Sequence, residues 1–199
     1  MSIRYPPITP GALDERQKEV HDLLAGSIGQ YFNQIFTIQD KESEALVGPF
    51  TQFLYLPKSI ASGYFANGSS LSHVAEFPLR CREIAILAVG QYYQADYELY
   101  SHVRVAKSVG VEDRQIENIL DGRPPGGTDQ EELSWEIARS LVERKGPLPA
   151  ELWKRAELLF GKPGAGALIH YAGFYAYTSI ILNGAAVSVP TGENIWPIT

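Results

Sequence analysis

The segment that decides the fold joins a long apolar run to a charged, tyrosine-rich run. Residues 79–106 read LRCREIAILAVGQYYQADYELYSHVRVA. The uninterrupted apolar residues 84–89 are compatible with a buried strand, but the length and flanks of the segment favour a helix that is apolar on nearly all sides. Pro78 suits the start of such a helix. We therefore expect a helix over 79–94.

A second helix is expected directly afterwards, over 97–108. Asp96 is a candidate N-cap for it, and Gly110 is well placed to end it. Glu98 and His102 are four residues apart, so their side chains share one helix face with about 5–6 Å between Cβ atoms. This pair places an anion beside a histidine that titrates near neutrality, although an ordinary surface pair has the same spacing.

The rest of the chain is also dominated by helical periodicity. Asp14 is a candidate N-cap for the first of these helices. We expect further helices over 13–31, 45–56, 59–74, 112–120, 130–145, 149–160 and 167–183. Breaks are expected at the Gly/Pro-rich loop 121–128 and at 161–166, and the tail from Val189 is expected to dock through Trp196. The sequence thus predicts an all-α fold of about eight helices, with one domain over 13–199 after an extended, proline-rich arm over 1–12.

Composition excludes several classes of protein. The chain has 199 residues, of which 45% are hydrophobic, enough for a sizeable core. A net charge of −6 argues against broad nucleic-acid binding. The single cysteine, Cys81, rules out an internal disulfide, a CxxC pair or a cysteine-based zinc site. We expect a structural thiol, a cytoplasmic location, no membrane-spanning helix and no secretory signal.

One carboxylate, Glu83, lies inside the apolar run. A buried carboxylate needs a partner or has a raised pKa, which makes Glu83 a candidate general acid or proton carrier. An ion pair with Arg80 or Arg82 is the structural alternative. No HExxH motif is present, and one Glu–His pair supplies too few ligands for a metal ion, so no metal is expected. Ordinary helix or core roles are expected for the other histidines, His21, His73 and His170.

Residues 82–89, 95–106 and 110–111 together resemble the carboxymuconolactone decarboxylase family of the alkyl hydroperoxidase D-like superfamily. The resemblance is close over about 40 residues and looser through the last helix, where Tyr171 and residues 182–183 also fit. The peroxidase branch begins its second helix with CxxC and places a histidine four residues after the second cysteine. Those cysteine positions here are Ala95 and Glu98, so this chain lacks the dithiol that peroxide reduction requires.

The resemblance implies an all-α homo-oligomer, a trimer or hexamer, with a cofactor-free site between helices. Within it, Glu83 matches a proton-relay glutamate and His102 a conserved histidine. The expected activity is that of a cofactor-independent lyase or isomerase acting by proton transfer on a small carboxylated or lactone-type substrate. His102 would give or take the proton, Glu98 would orient it, and Glu83 would be a second proton-transfer group.

For substrate binding, we expect Arg82 or Arg104 to hold a carboxylate, because a guanidinium binds carboxylates bidentately. Tyr97 is a further candidate contact. One alternative is a non-catalytic oligomeric binding protein, which an ion pair between Glu83 and an arginine would indicate. Another is a peroxide-handling protein that uses Cys81 alone. An enclosed cavity holding both glutamates and the histidine would favour an enzyme.

Overall fold

A computed structural model describes residues 4–26, 32 and 34–196 of the chain. Over these residues the fold has eight α-helices, a 3₁₀ turn at Pro10–Ala12 and no strand beyond one isolated bridge between Gln39 and Leu46. The helices are α1 (Glu15–Leu24), α2 (Pro49–Phe53), α3 (Lys58–Ser72), α4 (Leu79–Tyr93), α5 (Asp96–Ser108), α6 (Asp113–Leu120), α7 (Asp129–Glu143) and α8 (Ala150–Ala185). The prediction of an all-α fold is confirmed.

Helix α4 runs through the centre of the molecule. It packs against α5, α6, α7 and α8, and its residues 81–90 are all buried. Burial on every side explains why this helix has no polar face. It begins after Pro78 and ends at Gln94, whose left-handed conformation (φ 51°) turns the chain into α5.

Of the two N-cap residues predicted from the sequence, Asp14 is confirmed and Asp96 is not. At α1, the Asp14 side chain accepts a 2.7 Å hydrogen bond from the Gln17 backbone N–H, so the predicted cap is confirmed. The predicted extension of this helix to residue 31 falls partly outside the described residues. At α5, the prediction that Asp96 is the N-cap is wrong: Ala95 is the N-cap and Asp96 the first helical residue. Glu98 is therefore the third helical residue, where the helix dipole still favours a carboxylate.

Other boundaries agree with the sequence to different degrees. Helices α3, α6 and α7 match their predicted ranges within two residues. The apolar stretch 45–56 forms only the short helix α2, because Gly48 before it adopts φ 64° and the chain turns there. At the other end of the chain, Ile195 and Trp196 pack on the cluster formed by α4, α5 and α6, which is the predicted docking of the tail.

The predicted break between two helices at 161–166 is limited to a single non-helical residue. Only Gly161 leaves the helical conformation (φ 64°, ψ 175°), and the chain is helical again from the next residue. Pro163 is tolerated because it lies in the first turn after the kink, where its missing N–H is not needed. By length and composition alone, α8 is long and apolar enough to cross a membrane, a test that the core helix of a folded domain also passes; 44% of its most apolar window is buried in the fold.

Candidate active site

Three side chains named in the sequence analysis meet between α4 and α5. The Nδ1 atom of His102 lies 2.7 Å from Oε2 of Glu83. The Nε2 atom of the same ring lies 3.2 Å from Oε1 of Glu98. The imidazole is thus held between two carboxylates, one facing each ring nitrogen. We call this group the Glu–His–Glu cluster.

Helix packing explains why these residues meet. Glu98 and His102 lie one turn apart on α5, and α4 crosses them with Glu83. Gly90, two turns after Glu83 on α4, allows the close approach: a Cβ added there would lie 3.3 Å from the Glu98 Cγ and 3.2 Å from the Leu99 Cδ2. A larger residue at this position would push Glu98 away from α4.

The cluster is mostly but not fully buried. Side-chain exposure is 15% for His102, 11% for Glu83 and 5% for Glu98. Burial raises the pKa of Glu98 to about 7; the charge of Glu83 adds to the effect and that of His102 opposes it. Burial acts to lower the pKa of His102, but Glu83 and Glu98 overcome it and raise this pKa to about 9. At neutral pH the ring is therefore an imidazolium, and Glu98 is divided between its acid and anionic forms.

The two carboxylates differ in their hydrogen bonding. Glu83 accepts a 2.7 Å hydrogen bond from the ring of His102. The Oε1 atom of Glu98 is buried and, despite its 3.2 Å distance to Nε2, forms no hydrogen bond with a described residue. Buried polar atoms are nearly always hydrogen-bonded, so this oxygen, which has the imidazole only as an ion-pair partner, keeps unused hydrogen-bonding capacity. Glu83 holds the ring through Nδ1, which makes Glu98 a candidate acid–base group; the sequence analysis expected Glu98 to orient the ring and His102 to exchange the proton.

Sequence reasoning missed an aromatic contact from α8. The ring of Tyr175 lies edge-on to His102, with centroids 5.0 Å apart and an interplanar angle of 83°. Tyr171, one turn earlier, stacks on Tyr175 at 6.1 Å with an angle of 4°. The spacing of these two tyrosines on one helix face was a usable signal, but nothing local in the sequence connects that face to His102.

Arg82 does not hold a carboxylate. This buried guanidinium donates three hydrogen bonds to the backbone carbonyls of Ser72, Val74 and Phe77, at 2.8, 2.6 and 2.7 Å. All three carbonyls belong to the end of α3 and the connection to α4. The structure thus gives Arg82 the role of fixing that connection, and its expected substrate contact is not supported.

The other two expected substrate contacts are engaged elsewhere as well. Arg104 pairs with Glu193 at 3.0 Å and donates to the carbonyl of Ile195, which ties the C-terminal tail to α5. The Tyr97 hydroxyl donates to the carbonyl of Thr37 at 2.9 Å, within the aromatic core formed with the N-terminal third of the chain. Both groups are thus engaged with the C-terminal tail and the N-terminal part of the chain, and no hydrogen bond joins either of them to the Glu–His–Glu cluster within the described residues.

Two further predictions concern Glu83 and Cys81: an ion pair between Glu83 and Arg80 or Arg82, and a structural role for the Cys81 thiol. Arg80 pairs with Glu131 at 2.6 Å, so neither neighbouring arginine forms an ion pair with Glu83. Cys81 is buried, and this burial raises the pKa of its thiol to about 11, which is the behaviour of a structural thiol.

Two surface cavities lie away from the cluster. One, of about 510 Å³, is beside His21 and Gln39, and the other, of about 320 Å³, is beside His170 and Tyr177. Neither is lined by a member of the Glu–His–Glu cluster. In the part of the chain that the structure describes, no group of three or more His, Cys, Asp or Glu side chains is arranged to hold a metal ion.

Comparison with known proteins found no relative of this chain. No protein-family model, curated protein or solved structure matches it. The geometry of the Glu–His–Glu cluster is therefore what the structure contributes to the chemistry of the site, and the resemblance to the carboxymuconolactone decarboxylase family stays a prediction.

Proposed function

We propose that this protein is a carboxymuconolactone decarboxylase-like, cofactor-independent lyase that acts by proton transfer on a small carboxylated or lactone-type substrate. One observation carries the proposal: the His102 ring is held between two buried carboxylates, with Nδ1 2.7 Å from Glu83 and Nε2 3.2 Å from Glu98. Burial raises the pKa of Glu98 to about 7. General acid–base catalysis is most efficient when the pKa of the catalytic group is near the working pH. Glu98 meets that requirement.

The reaction needs one proton and one site for negative charge. When the bond between the carboxylate carbon and the ring breaks, carbon dioxide leaves and its electron pair enters the unsaturated lactone. The negative charge then rests on the lactone carbonyl oxygen. Transfer of a proton from Glu98 to the ring carbon removes that charge and gives the enol-lactone.

His102 is placed to restore the acid form of Glu98. Its Nε2 atom lies 3.2 Å from the carboxylate that has lost its proton, so the ring is within reach to return one. Glu83 keeps the ring in position through Nδ1. The ring is 15% exposed, so it can then take up a proton from solvent. Each turnover consumes one proton, as loss of carbon dioxide from a carboxylate requires.

The two alternative functions have less support. A peroxide-handling protein would need a reactive thiolate, and the buried Cys81 stays protonated at neutral pH. An ion pair between Glu83 and an arginine would indicate a non-catalytic binding protein, whereas the partner of Glu83 is His102. The enclosed cavity that would favour an enzyme is neither of the two cavities described above, so the support for an enzyme is the cluster itself.

The assay that tests the proposal measures carbon dioxide release from carboxymuconolactone and from a panel of carboxylated unsaturated lactones. We expect turnover by the wild-type protein and a loss of at least about 100-fold in kcat for His102→Gln, because positioned acid–base groups contribute about 10²–10⁴-fold. His73→Gln is the matched control, since His73 is an exposed histidine at the end of α3.

Circular dichroism of each variant checks that it is folded. The proposal is wrong if the wild-type protein releases no carbon dioxide from any member of the panel. It is also wrong if folded His102→Gln turns over at the wild-type rate.

A further inference from the structure

We propose that the Tyr175 hydroxyl donates a hydrogen bond to the substrate oxygen that becomes negatively charged as carbon dioxide leaves. This inference rests on the proposed function and deepens it. It gives the site a second substrate-contacting group, from α8 rather than from α4 or α5. It also restricts the substrate class to acids whose carboxylate is on a carbon next to a carbonyl group, or joined to one through a C=C bond, since only these place the charge on an oxygen.

The first argument is position. Tyr175 and Glu98 both contact the ring of His102: the tyrosine ring lies edge-on at 5.0 Å, and the carboxylate oxygen lies 3.2 Å from Nε2. The ring of Tyr175 therefore borders the same histidine as the carboxylate that donates the proton. Tyr175 is partly exposed as a residue and the His102 side chain is 15% exposed, so this side of the cluster is not fully closed to solvent.

The second argument is an unused donor. Three tyrosines of the neighbouring core, Tyr64, Tyr97 and Tyr100, use their hydroxyls in hydrogen bonds, to Thr178, to the Thr37 carbonyl and from the Thr37 N–H. The hydroxyl of Tyr175 forms none with any residue in the described ranges. Glu98 has a buried oxygen without a hydrogen bond beside the same histidine. Two polar groups with unused hydrogen-bonding capacity at one ring are what a site for a polar ligand requires.

Electrostatics keep Tyr175 in the form that donates. Burial, and then the charges of Glu98 and Glu83, raise its pKa well above the ordinary value for a tyrosine. The hydroxyl therefore stays protonated throughout the pH range in which Glu98 titrates. A tyrosine hydroxyl beside a neutral carboxylic acid, in apolar surroundings, is an arrangement that stabilises an enolate oxygen.

The kinetic test compares Tyr175→Phe with the wild-type protein. Phenylalanine keeps the ring against His102 and removes only the hydroxyl. We expect kcat for lactone decarboxylation to fall by about 100-fold, the usual cost of removing one oxyanion donor, while KM changes little. The pH dependence of kcat should keep its shape, because Glu98 is still present. Tyr177→Phe, an exposed tyrosine two residues along the same helix, is the matched control.

A binding test separates this inference from the proposed function. The probe is 4-nitrophenolate, a stable oxyanion whose absorption changes when it accepts hydrogen bonds. We expect wild-type protein and Tyr177→Phe to bind it equally and Tyr175→Phe to bind it at least tenfold more weakly. If this difference is found but no lactone is decarboxylated, Tyr175 does bind an oxyanion and the proposed decarboxylase function is wrong. Absence of binding to wild-type protein, or equal binding by Tyr175→Phe, overturns the inference.

Discussion

At the scale of single residues, the informative contrast is between two chemically identical side chains. Glu83 accepts a short hydrogen bond from His102, whereas Glu98 is more deeply buried and has an oxygen without a hydrogen bond. Their surroundings give them different roles, as with paired carboxylates in many enzymes. The imidazolium between them is favoured by both charges, which is why its pKa rises although burial opposes it.

The protonation of Glu98 predicts the pH dependence of turnover. The titratable groups around it are Glu83 on α4, Tyr97 and His102 on α5, Tyr64 on α3 and Tyr175 on α8. Because the acid form donates the proton and its pKa is about 7, kcat should be highest below pH 7 and fall as the pH rises through 7.

Glu98→Gln keeps the shape of the side chain but cannot donate a proton to carbon. We expect its kcat to be at least about 100-fold lower and to have lost the fall near pH 7. A steady-state pH profile of both proteins measures this. A wild-type rate that rises through pH 7 would make Glu98 a base and contradict the account.

At the scale of helices, the sequence predicts helix positions and the contacts between residues that are close in the chain. The positions of α4 and α5 follow from an apolar run, a proline at one end and a glycine at the other, and the pairing of Glu98 with His102 follows from helical spacing. The direction of the Arg82 side chain depends on three carbonyls supplied by the chain before α4, which no periodicity encodes. Tyr175 is 73 residues from the histidine it contacts, so its role depends on how α8 packs.

The glycines of α8 give a matched pair of tests for that packing. A Cβ added at Gly164 would lie 2.7 Å from the Phe160 Cβ and 2.9 Å from the carbonyl oxygen of Glu76, both closer than a stable contact allows. At Gly166, two residues on, an added Cβ would meet no atom within 4 Å. The two sites share one helix and one substitution but differ in available space.

We expect Gly164→Ala to lower the free energy of unfolding by about 1–3 kcal/mol, the usual cost of overpacking. Gly166→Ala should be neutral or stabilising by up to about 1 kcal/mol, because alanine favours a helix over glycine. Urea unfolding followed by circular dichroism measures both. Equal effects of the two substitutions would show that α8 does not pack against the segment before α4 as described.

At the scale of the whole molecule, the charge distribution is uneven. The chain has a net charge of −6, yet residues 163–192 contain no Asp, Glu, Lys or Arg. Most of that stretch is α8, and two of its large apolar side chains, Tyr177 and Ile180, are 46% and 55% exposed. An uncharged, partly exposed apolar face of this kind is typical of a protein–protein interface. We propose that a second copy of this chain covers it; the cytoplasmic location expected from the single cysteine stays a prediction.

Light scattering after size exclusion tests the assembly. We expect a mass that is a multiple of 22.0 kDa, three or six chains by the resemblance described above. Ile180→Lys should shift the mass toward that of a single chain, whereas Leu158→Lys, on an 85% exposed side chain away from this face, should leave it unchanged. A wild-type protein that elutes as a 22.0 kDa monomer contradicts the proposed assembly.

The protonation state of His102 tests the central claim without any substrate. In ¹⁵N-labelled protein, the two ring nitrogens of each histidine are resolved by two-dimensional NMR, and the His102 signals are those lost in His102→Gln. The account predicts that both nitrogens carry a proton at pH 7 and that the ring titrates with a pKa of about 9. Glu83→Gln should move this value toward the ordinary histidine pKa, because the charge that supports the imidazolium is removed. Titration of His102 in the wild-type protein at or below pH 6.5 would contradict the account.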